Sequence, residues 1–173
     1  MSTTSNTAAI QADDPRRNLV VANPENSNAL HLGVVGDTYT ILLSGMDTAG
    51  RFTLIDMHVP PGSGHDFEET FILLDGELHA TFRGEKHIVC AGETIHIPAN
   101  APHQFHNASS QPVRMLCICS PAGQEEFFKE LGTVVAARIT PPPGVDRAQE
   151  AAFIQKAMEL APKYRTELLK EAK

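Results

Sequence analysis

Two stretches decide how this chain folds: residues 60–77, PPGSGHDFEETFILLDGE, and residues 91–107, AGETIHIPANAPHQFHN. His65 and Glu69 lie in the first, His103 and His106 in the second, and Gly and Pro residues punctuate both. In a strand beginning at Glu69, that carboxylate shares a face with Phe71 and Leu73. A carboxylate among apolar side chains is costly to bury unless a cation or metal meets it. His103, Phe105 and Asn107 share a face in the same way. Imidazole and carboxylate together suit Fe, Mn, Ni, Co or Zn rather than Ca or Mg.

Short strands surround these stretches. Residues 38–43 and 51–59 read as strands, followed by 69–74, 77–82, 86–90, 94–97, 103–107 and 113–119. Asp75-Gly76 is a hairpin signal between the third and fourth of these. Strands at such short intervals, separated by Gly and Pro, imply an all-β sandwich or barrel. After Ser120 the pattern changes. Ser120-Pro121 reads as an N-cap followed by Pro at the first helical position, with a short helix over 124–131 and Gly132 at its far end. Thr140-Pro-Pro-Pro-Gly144 is a stiff linker. A last helix starts at Asp146, with Gln149 completing a capping box. Its apolar stripe is Ala151, Ile154, Met158 and Leu160, and Pro162 breaks or kinks it. The expected organisation is a disordered tail at 1–17, a β-barrel at 18–120 and a helical extension at 121–173.

The 173 residues, 42% apolar and 20% charged, are those of one globular domain with appendages. A formal net charge of −7 argues against nucleic acid or an anionic membrane as partner. No window approaches a membrane span, and the first fourteen residues lack the basic start and apolar core of a signal peptide. A cytoplasmic location is the expectation. Three cysteines, Cys90, Cys117 and Cys119, form no spaced framework and suit a reducing compartment. Cys117 and Cys119 share a strand face, where small buried apolar side chains are the ordinary explanation.

At this point the chain resembles a known family. His65, Glu69 and six residues to Gly76 are similar to the first motif of the cupins. Gly92, five residues to Pro98, then His103 and Asn107 are similar to the second. The likeness spans residues 39–120 and is nearest to small single-domain, quercetin-dioxygenase-like cupins. Beside the short C-terminal helices read above, it implies a cupin-type jelly-roll β-barrel of six to eight strands, a homodimer and a divalent transition metal inside the barrel. The ligands it implies are His65, Glu69 and His103; Phe71, Leu73 and Phe105 would line a substrate cavity under either function below, or be ordinary core. Asn100 replaces a glycine of the second motif, and Ser63 stands where the first motif has its earlier histidine.

Two functions follow. One is a metal-dependent enzyme acting on a small organic molecule, a dioxygenase-type oxidoreductase, with decarboxylase or isomerase chemistry open to the same site. The other is a non-catalytic small-molecule-binding barrel with a degenerate metal site. His58 is a candidate substitute ligand, though a packed or surface role is the preferred reading. His106 is expected to point outward, His87 and His31 to be exposed, and His79 and His96 are open between cavity and surface.

Overall fold

The computed structural model describes residues 13–34, 36–60, 69–98, 101–144, 147–166 and 168. The chain forms β1 (Leu30–Val34), β2 (Asp37–Leu43), a one-turn helix α1 (Gly45–Thr48), β3 (Thr53–Val59) and β4 (Thr70–Asp75). It continues through β5 (Glu77–Phe82), β6 (Glu85–Cys90), β7 (Thr94–His96), β8 (His103–His106) and β9 (Val113–Cys119). Helix α2 (Gln124–Leu131), β10 (Thr133–Val134), α3 (Arg147–Leu160) and a 3-10 turn (Ala161–Tyr164) follow.

The strands make two antiparallel sheets. The larger has the order β10-β1-β2-β3-β9-β4-β7 and the smaller β6-β5-β8. This is the all-β arrangement with C-terminal helices that the strand pattern implies, and the jelly roll that the cupin resemblance implies. It has more strands than six to eight, because β1 and the two-residue β10 extend the large sheet.

Alternation sets the interior. In β9 the buried residues are Val113, Met115, Cys117 and Cys119, while Arg114, Leu116 and Ile118 face the other way. Registers carry that face across the sheet: Cys117 stands opposite Ile55 on one side and Phe71 on the other. The small sheet answers with Leu78, Ala80 and Phe105. Phe71 and Phe105 meet edge-to-face at 5.2 Å, which joins the two sheets. Burying each such ring stabilises the fold by roughly 2–3 kcal/mol.

Four readings are corrected. Asp75-Gly76 turns the chain, but β4 and β5 do not pair. β4 pairs with β7 and β9, β5 pairs with β6 and β8, so the turn carries the chain from one sheet to the other. Gly76 is required there: its φ is +85°, and a β-carbon would sit 2.9 Å from Val113 Cγ2.

Helix α2 has the expected bounds, but Ser120-Pro121 does not start it. That peptide is cis, and Gly123 takes the position before the first turn. On α3 the expected stripe is rotated. Ile154 and Met158 are about half exposed, whereas Ala157 and Ala161 are buried and Phe153 and Leu160 pack beside them. Small residues permit the close approach to the rest of the molecule, so the large ones fall outside. Asp146 lies outside the described residues. The fourth correction is His31, which is 7% exposed and bonded through Nδ1 to Thr40 Oγ1 at 2.8 Å.

His31 is buried because the C-terminal segment returns over the outer face of the large sheet. β10 pairs with β1, the Val135 N–H donates to the His31 carbonyl, and Thr38 Oγ1 donates to the Thr140 carbonyl at 2.7 Å. Gly33 admits this cover, since a β-carbon there would collide with Pro142. Arg138 also reaches Glu25 at 2.9 Å, which ties the leader to the same segment.

Glu125, at the start of α2, is a second tie. Only 2% exposed, it accepts hydrogen bonds from Gly45 N–H at 2.6 Å, Gly123 N–H at 2.8 Å and the Thr53 hydroxyl. Burial pushes its carboxyl up, but the Thr53 hydroxyl and these N–H groups outweigh that and hold it below the ordinary 4.5. One side chain thus fastens α1, β3 and α2 together. Further along α2, Phe128 meets Tyr39 edge-on at 4.9 Å, so the helix packs onto the end of the interior.

Candidate metal centre

Glu69 immediately precedes β4. Thr70 pairs with Ile118, so the next position brings Glu69 opposite Cys119 on the inner face. The Cys119 thiol donates to Glu69 Oε1 at 3.1 Å, and the Cys117 sulfur lies 3.5 Å from that of Cys119. A ligand atom from each of Glu69, Cys117 and Cys119 lies within 4.8 Å of the others, and all three residues are buried. Desolvation raises the Cys117 thiol well above its ordinary value. In Cys119 the Cys117 hydrogen bond pulls the other way, but burial and the Glu69 carboxylate push the thiol up to about 12. Both side chains are therefore protonated thiols at neutral pH.

His103 opens β8, 7% exposed. Its Nδ1 lies 2.9 Å from the Ala101 carbonyl oxygen, which can only accept, so the proton sits on Nδ1 and the lone pair on Nε2. Fixing one ring nitrogen on a backbone carbonyl is the usual way a ligating imidazole is oriented. The chain reverses between β4 and β5, and β8 runs antiparallel to β5, hence in the same general sense as β4. Two residues before the Phe71–Phe105 contact, on the same two inner faces, stand Glu69 and His103.

The remaining expected wall residues are interior too. Phe71 is 0%, Leu73 1% and Phe105 3% exposed. Asn107, from the second motif, is structural: its Nδ2 donates to the Val59 and Gln111 carbonyls, and its Oδ1 accepts from Ser109. It pins the loop after β8 to the end of β3. His65 and Ser63 lie outside the described residues, as does Asn100. His58 does not serve as a substitute ligand. It faces outward on β3 between Thr38 and Arg114, where burial lowers its pKa. His79 and His106 pack their rings 5.3 Å apart on the outer side of the small sheet. His96 is exposed and bonded to Thr70 Oγ1.

The donors that meet here, a carboxylate and two thiols, make an O/S set that suits a transition metal, while His103 faces the interior from the other sheet, outside that group. Thiols and imidazole do not suit Ca or Mg. Cys117 and Cys119 are buried on the strand face they share, as the alternation implies. Alternation places them on the inner face, but their meeting with Glu69 depends on the β4–β9 register, which pairs residues some 50 positions apart. A second interior polar group is Tyr39, whose hydroxyl donates to Asp37 Oδ2 at 3.2 Å and is raised by burial and by the Asp37 charge.

The Cupin domain family model matches residues 55–119, which run from β3 to the end of β9 and include Glu69 and His103. Residues 55–119 form a cupin domain. An uncharacterized protein of Methanocaldococcus jannaschii is 29% identical over 97 residues, covering 56% of this chain and 73% of that relative. Quercetin 2,3-dioxygenase of Bacillus subtilis is 27% identical over 109 residues, 60% of this chain but 32% of that enzyme. Among solved structures, a predicted oxalate decarboxylase from Thermotoga maritima superimposes with a TM-score of 0.51. It is 19% identical, over 59% of this chain and 99% of that one, and so speaks for the fold alone.

Proposed function

We propose that this protein is a metal-dependent enzyme acting on a small organic molecule, with oxidoreductase chemistry of the dioxygenase type. The observation that carries the proposal is the placement of Glu69 and His103 on the inner faces of opposite sheets, beside the Phe71–Phe105 contact. His65, Glu69 and His103 would hold a divalent Fe, Mn, Ni, Co or Zn ion. When bound, such an ion polarises a substrate oxygen or, if redox-active, supports chemistry with dioxygen.

The protein's own part is positioning. Glu69 supplies negative charge and His103 a lone pair whose direction the Ala101 carbonyl fixes. Phe71, Leu73 and Phe105 line the substrate cavity, exclude water and accept an aromatic or alkyl portion of the substrate. The likeness to quercetin 2,3-dioxygenase supports an enol-like or catechol-like substrate class. The working unit is a cytoplasmic homodimer, with the β-barrel over 18–120 and the extension over 121–173 covering it.

A second reading is favoured by one residue. Ser63 stands where the cupin motif has a histidine, and the loss of that ligand would leave a small-molecule-binding barrel without catalysis. Metal analysis of the full chain purified without chelator separates the two. The enzyme reading expects close to one equivalent of a transition metal, lost in His103→Ala, and turnover in a screen of catechols and enols. Less than about one-tenth equivalent, unchanged by His103→Ala, would sink it.

A further inference from the structure

We propose that Cys117 and Cys119 are metal ligands, and that with Glu69 they form a two-sulfur, one-oxygen donor set replacing the histidine missing at Ser63. The inference rests on the reading that a metal is held at Glu69, and adds which other atoms hold it and therefore which metals fit.

Two observations carry it. The first is register: Glu69 and Cys119 are cross-strand neighbours on the inner face, and Cys117 is one inward step along the same strand. The second is spacing. Donors around one tetrahedral ion stand roughly 3.6–3.8 Å apart for metal–sulfur and metal–oxygen bonds of about 2.3 and 2.1 Å. Here the sulfur–sulfur separation is 3.5 Å and the nearest sulfur–oxygen separation 3.1 Å, so the set closes on an ion by opening a few tenths of an ångström. His103 faces the same interior from the small sheet, two residues before Phe105, outside the cluster that Glu69, Cys117 and Cys119 form.

Binding takes one proton from each thiol, so a divalent ion enters as two protons leave, and uptake strengthens with pH. Two sulfurs select borderline and soft ions. Zinc, cobalt and iron are favoured over manganese.

The test uses cobalt(II) with the reduced full chain in a Cys90→Ser background, because Cys90 is exposed and would bind cobalt on its own. One equivalent of cobalt should produce sulfur-to-cobalt charge-transfer absorption in the near ultraviolet. Cys117→Ser and Cys119→Ser should each remove about half of it, and Cys119→Ser should weaken affinity by at least about a hundredfold, the upper end of what a neighbouring second-shell change costs. His103→Ala should keep the absorption at saturation. Cobalt bound at one equivalent without charge transfer overturns the thiol assignment and leaves the metal-enzyme reading standing. No cobalt bound by any variant, with the fold intact by circular dichroism, overturns both.

Discussion

Asp56 and Glu69 are both carboxylates buried in the large sheet, on strands that flank β9, yet they face opposite ways and meet opposite company. Asp56 is fully buried on the outer face, where the Arg114 guanidinium grips it through Nε at 3.1 Å and Nη2 at 2.6 Å. That pairing holds Arg114 above its ordinary value. Glu69 is 3% exposed on the inner face, and the Cys119 thiol, a weak donor, hydrogen-bonds to its Oε1. A planar fork of five N–H donors satisfies an acid permanently. A thiol pair satisfies one provisionally. The outer acid therefore reads as architecture, and the inner one is the acid proposed above to hold a metal.

The comparison can be broken most forcefully at Asp56. Asp56→Ala strands the Arg114 charge on a covered face and should cost about 3 kcal/mol, the lower end for a broken buried pair because Arg114 is partly exposed. In calorimetry the Tm should fall by roughly 6–12 °C while cobalt uptake is unchanged. Metal loss in a folded Asp56→Ala protein would show that the two acids are not separate.

Glu125 is the intermediate case, an acid held only by neutral donors. Glu125→Gln should cost about 2 kcal/mol at pH 7, since one acceptor of the Gly45, Gly123 and Thr53 donors becomes a donor itself. Its folded pKa is depressed, so its contribution is complete above the ordinary carboxylate value of 4.5 and fades as pH falls through the folded value. Denaturant melts of the native and variant proteins should converge below that point. A gap that stays constant down to pH 3 would contradict the assignment.

Glu69→Gln should do the reverse of Asp56→Ala. The amide oxygen still accepts from Cys119, so stability should change by less than about 1 kcal/mol while metal content falls at least about tenfold. The smallest effect belongs to the outer histidines. His106→Ala should move stability by no more than about 0.5 kcal/mol and leave metal binding as it was.

Alternation made much of this legible. The face shared by Glu69, Phe71 and Leu73, the face shared by His103, Phe105 and Asn107, and the outward turn of His106 all follow from a period of two. What alternation cannot supply is which strands become neighbours. Asp75-Gly76 carries a hairpin's residues but turns a corner between sheets, because the β9 backbone already occupies one side of β4. β1 is obscured by Gly33 and by His31, whose burial depends on chain arriving about a hundred positions later. The α3 stripe is misjudged for a similar reason: the packed side is chosen by how closely Ala157 and Ala161 approach their neighbours, and size outranks hydrophobicity there. The meeting of two thiols with Glu69 needed the register itself.

The two residues of β10 have a consequence out of proportion to their length. Thr133 and Val134 occupy the hydrogen-bonding edge of β1, which would otherwise be the outer margin of the large sheet. An exposed strand margin is a template for any other extended peptide, including the same strand in a second molecule. The chain thus caps its own sheet from within. A version cut before Thr133, which also loses the buried Ala157 and Ala161, should lose solubility by joining copy to copy along Leu30–Val34, and light scattering would register that before any loss of strand content.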